Sequence, residues 1–190
     1  MSERDLPEEM PVFPLPNAVL FPGTILPLHI FEPRYRQLVD DVLRHGRWIA
    51  VSLLRPGYEA DYQGTPAFHE IAGAGFLVHS NRLADGRFEI SLEGRVRVRL
   101  DEIPSARLYR MVRAVPCPEN AAWLTGREGT EALRDLLALA ETLRIMKPDD
   151  IRRGVPNGAA RRMALLNQLA AATAMADPHD RQEMLASEYP

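Results

Sequence analysis

Five prolines fall within a short stretch near the start of the chain, at Pro11, Pro14, Pro16, Pro22 and Pro27, and they exclude a helix there. Each lacks a backbone N–H and fixes φ, so each must occupy a strand start, an edge or a turn. Between them Val12, Phe13, Leu15, Val19, Leu20, Phe21, Ile25, Leu26, Leu28, Ile30 and Phe31 supply the apolar side chains of short buried strands. Asn17 and Pro22-Gly23 are the turn signals. At Pro33 the period changes: Tyr35, Leu38, Val39, Val42 and Leu43 recur at helical spacing, and Gly46 supplies the stop.

Further strands follow. Trp48 to Leu54 is a near-continuous apolar run, the pattern of a strand covered on both faces. The polar stretch from Arg55 to Pro66 reads as a long loop, and Ala74 to His79 as a strand in which Gly73 and Gly75 mark a bulge or a close backbone approach. After the Asp85-Gly86 turn, Phe88, Ile90, Leu92, Gly94, Val96, Val98 and Leu100 alternate with polar residues without a break. Such a run is long for one strand, so Gly94 is expected to mark a bend or bulge where the chain passes from one part of a curled sheet to another. Leu108 to Val115 is expected to pair back antiparallel to it.

Beyond Pro118 the composition shifts to Ala, Leu and Arg and the period becomes helical. Thr125 and Glu128 have the spacing of a capping box, and Leu133, Leu136, Leu137, Ala140 and Leu143 form an apolar stripe on a helix ending near Lys147-Pro148. Asn157 and Asp177 are candidate N-caps for two further helices. The expected fold class is α+β: a β-rich subdomain over residues 10–118 with one early helix, then a C-terminal α-helical bundle over 119–190.

These segments together resemble the LON substrate-binding domain, the N-terminal region of ATP-dependent Lon proteases that also occurs as a stand-alone bacterial protein. The residues that carry the resemblance are Phe13-Pro14-Leu15, Leu20-Phe21-Pro22-Gly23 and above all PLHIFEPRYR from Pro27 to Arg36. It continues through Gly46 to Gly64, Asp85 to Leu100, and DPHDRQEML from Asp177. The resemblance implies a PUA-like β pseudo-barrel in front and a role in recognising polypeptide, linked to protein quality control.

Composition sets the remaining bounds. The chain has 190 residues, 46% hydrophobic and 26% charged, with a net charge of -3, which gives no general pull toward nucleic acid or anionic membrane. No apolar run is long enough to span a membrane, and the acidic, polar first ten residues do not read as a signal peptide. Cys117 stands alone and fits a reducing compartment, so cytoplasmic residence is expected. Composition leaves the oligomeric state open.

The chemistry of an ATP-dependent peptidase is missing from the sequence. Lys147, the sole lysine, is followed by proline, so there is neither a phosphate-cradling Gly-Lys-Ser/Thr loop nor a serine beside it for a Ser-Lys dyad, and it reads as a solvated helix-end cation. There is no Gly-x-Ser-x-Gly elbow, and His69-Glu70 lacks the second histidine of a zincin. The five histidines have no metal-ligand spacing; His29, inside an apolar strand, reads as a hydrogen-bonded structural residue. Cys117, between two prolines, has no neighbouring base. The chain is therefore expected to be no enzyme, and to need no cofactor and no metal. An enzymatic reading would require His and carboxylate groups assembled only by folding.

Two groups are candidates for binding. Tyr58, Tyr62 and Phe68 put aromatic area on and beside the long loop and are the candidate peptide-binding residues for unfolded segments or a specific protein partner. Arg95, Arg97 and Arg99 line one strand face and are the alternative, RNA-binding set, although Glu93 and Asp101 flank them on that face. Glu32, Arg34 and Arg36 at the helix entry read either as a polar groove rim or as an internal ion pair.

Overall fold

The computed structural model describes residues 6–118, 121–145, 154–172 and 177–187. The chain divides into two compact units, Met1–Pro118 and Glu119–Pro190.

The first unit contains strands β1 (Glu9–Leu15) and β2 (Ile25–Ile30), helix α1 (Pro33–His45), and strands β3 (Trp48–Leu53), β4 (Ile71–Arg82), β5 (Phe88–Ile103) and β6 (Met111–Pro116). A 3-10 turn occupies Tyr58–Asp61. The sheet order is β2-β5-β4-β3-β1-β6, and β5 also pairs with β6, so β1, β3, β4, β5 and β6 close into a ring from which β2 projects. β1 and β3 run parallel, with α1 in the connection between them; the other pairings are antiparallel.

Two cores lie on opposite faces of this sheet. Met10, Val12, Trp48, Ala50, Ala72, Ala74, Val96, Val98, Leu100, Val112 and Ala114, drawn from all five ring strands, fill the interior. Outside it, Tyr35, Leu38, Val39 and Val42 of α1 pack on Phe13, Ile30, Ile49, Val51, Leu77, Phe88, Ile90 and Leu92. β3 is buried along its whole length because Trp48 and Ala50 face one core and Ile49 and Val51 the other.

β5 serves both cores through a bulge. Its partner on β4 steps from Gly75↔Gly94 to Ala74↔Val96, leaving Arg95 as an extra residue. Residues of equal parity therefore lie on one face before Arg95 and on the other after it. That is how an unbroken period-2 run feeds Phe88, Ile90 and Leu92 to the outer core and Val96, Val98 and Leu100 to the interior.

The proline block is seated on the same place. Thr24 N–H donates to Phe21 O, closing a turn with Pro22 and positive-φ Gly23 at its centre, the type II arrangement. Gly23 N–H then donates to Gly94 O, and Gly94 N–H to Thr24 O, which is a G1 bulge. The Leu20–Phe21 backbone lies directly on glycine: a Cβ on Gly73 would come within 1.9 Å of Leu20 O, and one on Gly94 within 2.1 Å of Phe21 O. Leu20, with no exposed surface, is thereby driven into the outer core.

The second unit contains a 3-10 turn (Trp123–Thr125) and helices α2 (Arg127–Thr142), α3 (Ala159–Ala172) and α4 (Pro178–Ala186). Leu124, Leu133, Leu137, Ala140, Met163, Leu165, Leu166 and Leu169 form its core. Several sequence expectations change here. Thr125 makes no capping box, because it closes the 3-10 turn by donating to Ala122 O at 2.7 Å while Gly126 is the N-cap. Leu136 and Leu143 are 39% and 57% exposed, since the 133/137/140 stripe alone faces the core. Gly158, not Asn157, accepts the first helical bond of α3, from Arg162 N–H. Asp177 does cap α4, accepting from His179 N–H at 2.8 Å. Lys147 and Pro148 lie outside the described residues.

Candidate functional site

A groove of about 530 Å³ opens on the first unit. Val12 and Pro14 of β1 and Tyr35 of α1 line it, together with Gly64 and Thr65 from the long loop, Glu102 and Ile103 at the end of β5, and residues 104–105 and 107–110 from the β5–β6 connection. It exists because β6 leaves β1 early. Their register ends at Pro11↔Met111, and the last bond between them runs from Val12 N–H to Arg110 O. The connection swings away and leaves a slot beside Pro14.

The walls are fixed by arginines. Arg110 makes a bidentate pair with Glu102 at 2.6 and 2.5 Å, donates to Pro66 O at 2.7 Å, and lies 4.4 Å from the Phe68 ring centroid. One guanidinium thus ties β5 to the long loop and covers Phe68. Arg107 bonds Asp41 of α1 at 2.9 Å through Nη1, which also meets the Tyr109 hydroxyl. The Tyr109 hydroxyl donates to Asp41 at 2.9 Å. Burial first, then the Asp41 hydrogen bond, raise the Tyr109 phenol, so it stays neutral and anchors the connection to α1.

At the loop end, Glu32 accepts from Arg34 at 3.0 Å and from the Tyr62 hydroxyl at 3.4 Å, while Arg34 donates to Tyr62 O at 3.3 Å. Arg34 also stacks on the rings of Tyr35 and Tyr62. Both readings of the Glu32–Arg34 pair therefore meet in one place: it is an internal ion pair, and Arg34 is part of the groove lining. Burial, then the charge of Glu32, raise the Tyr62 phenol.

The model of the ATP-dependent protease La (LON) substrate-binding domain matches residues 9–190. The chain belongs to that family. It is 31% identical over 120 residues to Lon protease 2 of Syntrophobacter fumaroxidans, covering 63% of this chain and 15% of that protein. It is 28% identical over 188 residues to Lon protease of Roseiflexus castenholzii, covering 95% of this chain and 22% of the relative. The matched region is the substrate-binding domain, and the chain spans under a quarter of either relative. Two solved structures share the fold. The Lon N-terminal domain protein from Xanthomonas campestris has a TM-score of 0.54 at 24% identity, covering 96% of this chain and 99% of that one. The N-terminal domain of Mycobacterium avium complex Lon protease has 0.56 at 15%, covering 95% and 97%.

The groove only partly coincides with the residues singled out from the sequence. Tyr58 and Tyr62 come together, their ring centroids 6.1 Å apart, but neither lines the groove. Tyr62 borders an adjoining void of only about 10 Å³. Phe68 is separate from them, packed against the interior core beneath Arg110. Arg95, Arg97 and Arg99 do not form one row with Glu93: Arg95 is the extra residue of the bulge, where odd-numbered residues change face, and pairs with Glu93 at 2.6 Å, while Arg97 donates to Pro118 O at 3.3 Å. His29 is not enclosed. It is exposed on β2, 3.4 Å from Arg87, because β2 is an edge strand.

The open sheet edges are poor docking strips. Thr24 O faces β5, so by alternation Pro27 faces outward on β2. Leu15 O accepts from Leu54 N–H, so Pro14 likewise points away from β3. At both edges proline withholds the donor that an added strand needs. Residues 104–110 escaped sequence reasoning because Leu108 and Tyr109 look like the start of a strand; Pro104-Ser105 was the available turn signal. Among the described residues no cluster of three His, Cys, Asp or Glu could hold a metal, and no helix is long and apolar enough to cross a membrane.

Proposed function

We propose that this chain is a non-catalytic, cytoplasmic recognition module that binds flexible or unfolded polypeptide segments and serves protein quality control without cutting them. The observation that carries this reading is the groove of about 530 Å³ in a LON substrate-binding domain, lined by Val12, Pro14, Tyr35 and Ile103 and bounded by two non-strand segments. Its size suits a few side chains of an extended peptide. Neither histidine nor cysteine lines it, its one acid Glu102 is paired with Arg110, and Arg34 and Arg107 pair with Glu32 and Asp41 outside the lining, which suits binding better than proton transfer.

The strand ring with α1 on its outer face supports a PUA-like pseudo-barrel, and the common core of the second unit supports a helical bundle over residues 119–190. Tyr58 and Tyr62 form a rim next to the groove in this reading, while Phe68 supports its wall. The RNA alternative is weaker, because its arginines are interspersed with Glu93 and Asp101 and partly engaged.

Fluorescence anisotropy with labelled, reduced and carboxymethylated α-lactalbumin tests the proposal, with the native folded form as control. Saturable binding of the unfolded form alone is the expected result. Equal indifference to both forms, or binding of a structured RNA that weakens with salt, would overturn it.

A further inference from the structure

We infer that the groove is selective for extended segments in which an apolar residue neighbours an acidic one. This inference rests on the peptide-binding reading and specifies its substrate class.

The apolar half of the selectivity comes from the floor and rim. Half-buried Ile103 and the small exposed part of Tyr35, 7%, face the groove, while Val12 is fully buried and backs the floor from beneath. Leu108, at the rim, is 66% exposed. Among the described residues of the first unit it is the most exposed large apolar one, and it lies where an incoming side chain would enter.

The acidic half comes from Arg107. Of the three arginines in the lining, Arg34 and Arg110 have side chains only 21% and 18% exposed and bond to carboxylate and carbonyl oxygens. Arg107 differs: its side chain is 45% exposed while its partner Asp41 is 20% exposed. Both of its side-chain hydrogen bonds use Nη1, so its Nε–Nη2 edge makes no hydrogen bond to the described residues. That edge is the fork that receives a carboxylate side-on with two parallel bonds. Glu102, the one carboxylate in the lining, has both oxygens held by Arg110 and does not compete for it. The lining therefore offers a ligand carboxylate the Nε–Nη2 edge of Arg107, with Asp41 engaged on the Nη1 side. A lysine beside the apolar residue would meet Arg107 as a like charge, which supplies rejection as well as attraction.

The test uses fluorescein-labelled short peptides that share the same leucines and differ only in carrying glutamates or lysines. They are titrated alongside reduced, carboxymethylated α-lactalbumin into the full chain and into Arg107→Glu and Ser105→Trp variants. The glutamate peptide is expected to bind at least about tenfold more tightly than the lysine peptide, the value of one charge-assisted bidentate contact. Arg107→Glu should reverse that order and Ser105→Trp, which narrows the groove, should weaken both. The reversal does not depend on overall affinity, so modest destabilisation of the variant cannot imitate it. Equal affinity for the two peptides, or a preference unchanged in Arg107→Glu, while the unfolded protein still binds, would overturn this inference and leave the module reading intact. Failure of the unfolded protein to bind would overturn both.

Discussion

Gly94→Ala probes how the proline block is held to the sheet. The added Cβ would stand 2.1 Å from Phe21 O and 2.9 Å from Phe21 C, and the obstacle is backbone, which cannot rotate aside. The Leu20–Phe21 segment must retreat by more than about 1 Å to restore ordinary contact distances. Retreat strains the bonds from Gly23 N–H to Gly94 O at 2.8 Å and from Gly94 N–H to Thr24 O at 2.9 Å. It also withdraws Leu20 and Phe21, 0% and 2% exposed, from their packing. Because the obstacle is backbone, overpacking should cost the upper end of its range, about 3 kcal/mol, and the two weakened hydrogen bonds up to about 1 each, so a total loss of about 3–5 kcal/mol is expected. With a urea slope of about 2 kcal/mol/M, the midpoint should fall by about 2 M. Trp48 fluorescence in a Trp123→Phe background reports the first unit alone. Gly57→Ala is the control: φ there is +88° with no atom near the added Cβ, so only the left-handed backbone penalty of about 1–2 kcal/mol applies. A Gly94→Ala shift no larger than the control's would refute the reasoning.

Three further outcomes follow from buried polar groups and a cap. Burial raises the Tyr35 phenol from 10.0 to about 12. The neutral form is favoured by folding, so this contribution is complete below pH 10 and lost as pH rises through about 12. It amounts to about 3 kcal/mol at most. Urea midpoints measured across that window should fall less steeply in Tyr35→Phe than in the parent. Ser52, 1% exposed, donates to His69 O at 2.6 Å, tying β3 to the end of the long loop; Ser52→Ala should cost about 1–3 kcal/mol by urea denaturation. Asp177→Ala should cost about 1 kcal/mol by removing the N-cap of α4, read as earlier loss of helical circular dichroism on heating.

Much of the fold was legible because it rests on local chemistry. The prolines forced turns and edges, Pro33 opened α1, and the unbroken alternation from Phe88 to Leu100 placed the longest strand. Gly94 signalled the bulge, but the exchange of cores across it was not legible, for a specific reason. The bulge at Arg95 preserves residue parity while exchanging sheet faces, so period-2 counting cannot tell two half-strands on opposite cores from one strand on a single core. The groove was hidden for another reason. It depends on where β6 parts from β1 and on long-range ties such as Arg107–Asp41 and Arg110–Glu102, and neither is encoded in local spacing. Tyr58 and Tyr62 drew attention to the long loop, but Gly64 and Thr65, which carry no aromatic signal, are the loop residues that line the groove.

In the proposed function, polypeptide enters the groove between the long loop and the β5–β6 connection. Amide chemical shifts recorded while reduced, carboxymethylated α-lactalbumin is added test it most directly. Changes concentrated at Thr65, Ser105, Arg107 and Leu108 are the predicted result. Binding that leaves those amides still, or that moves only the Arg95, Arg97 and Arg99 face of β5, would contradict it.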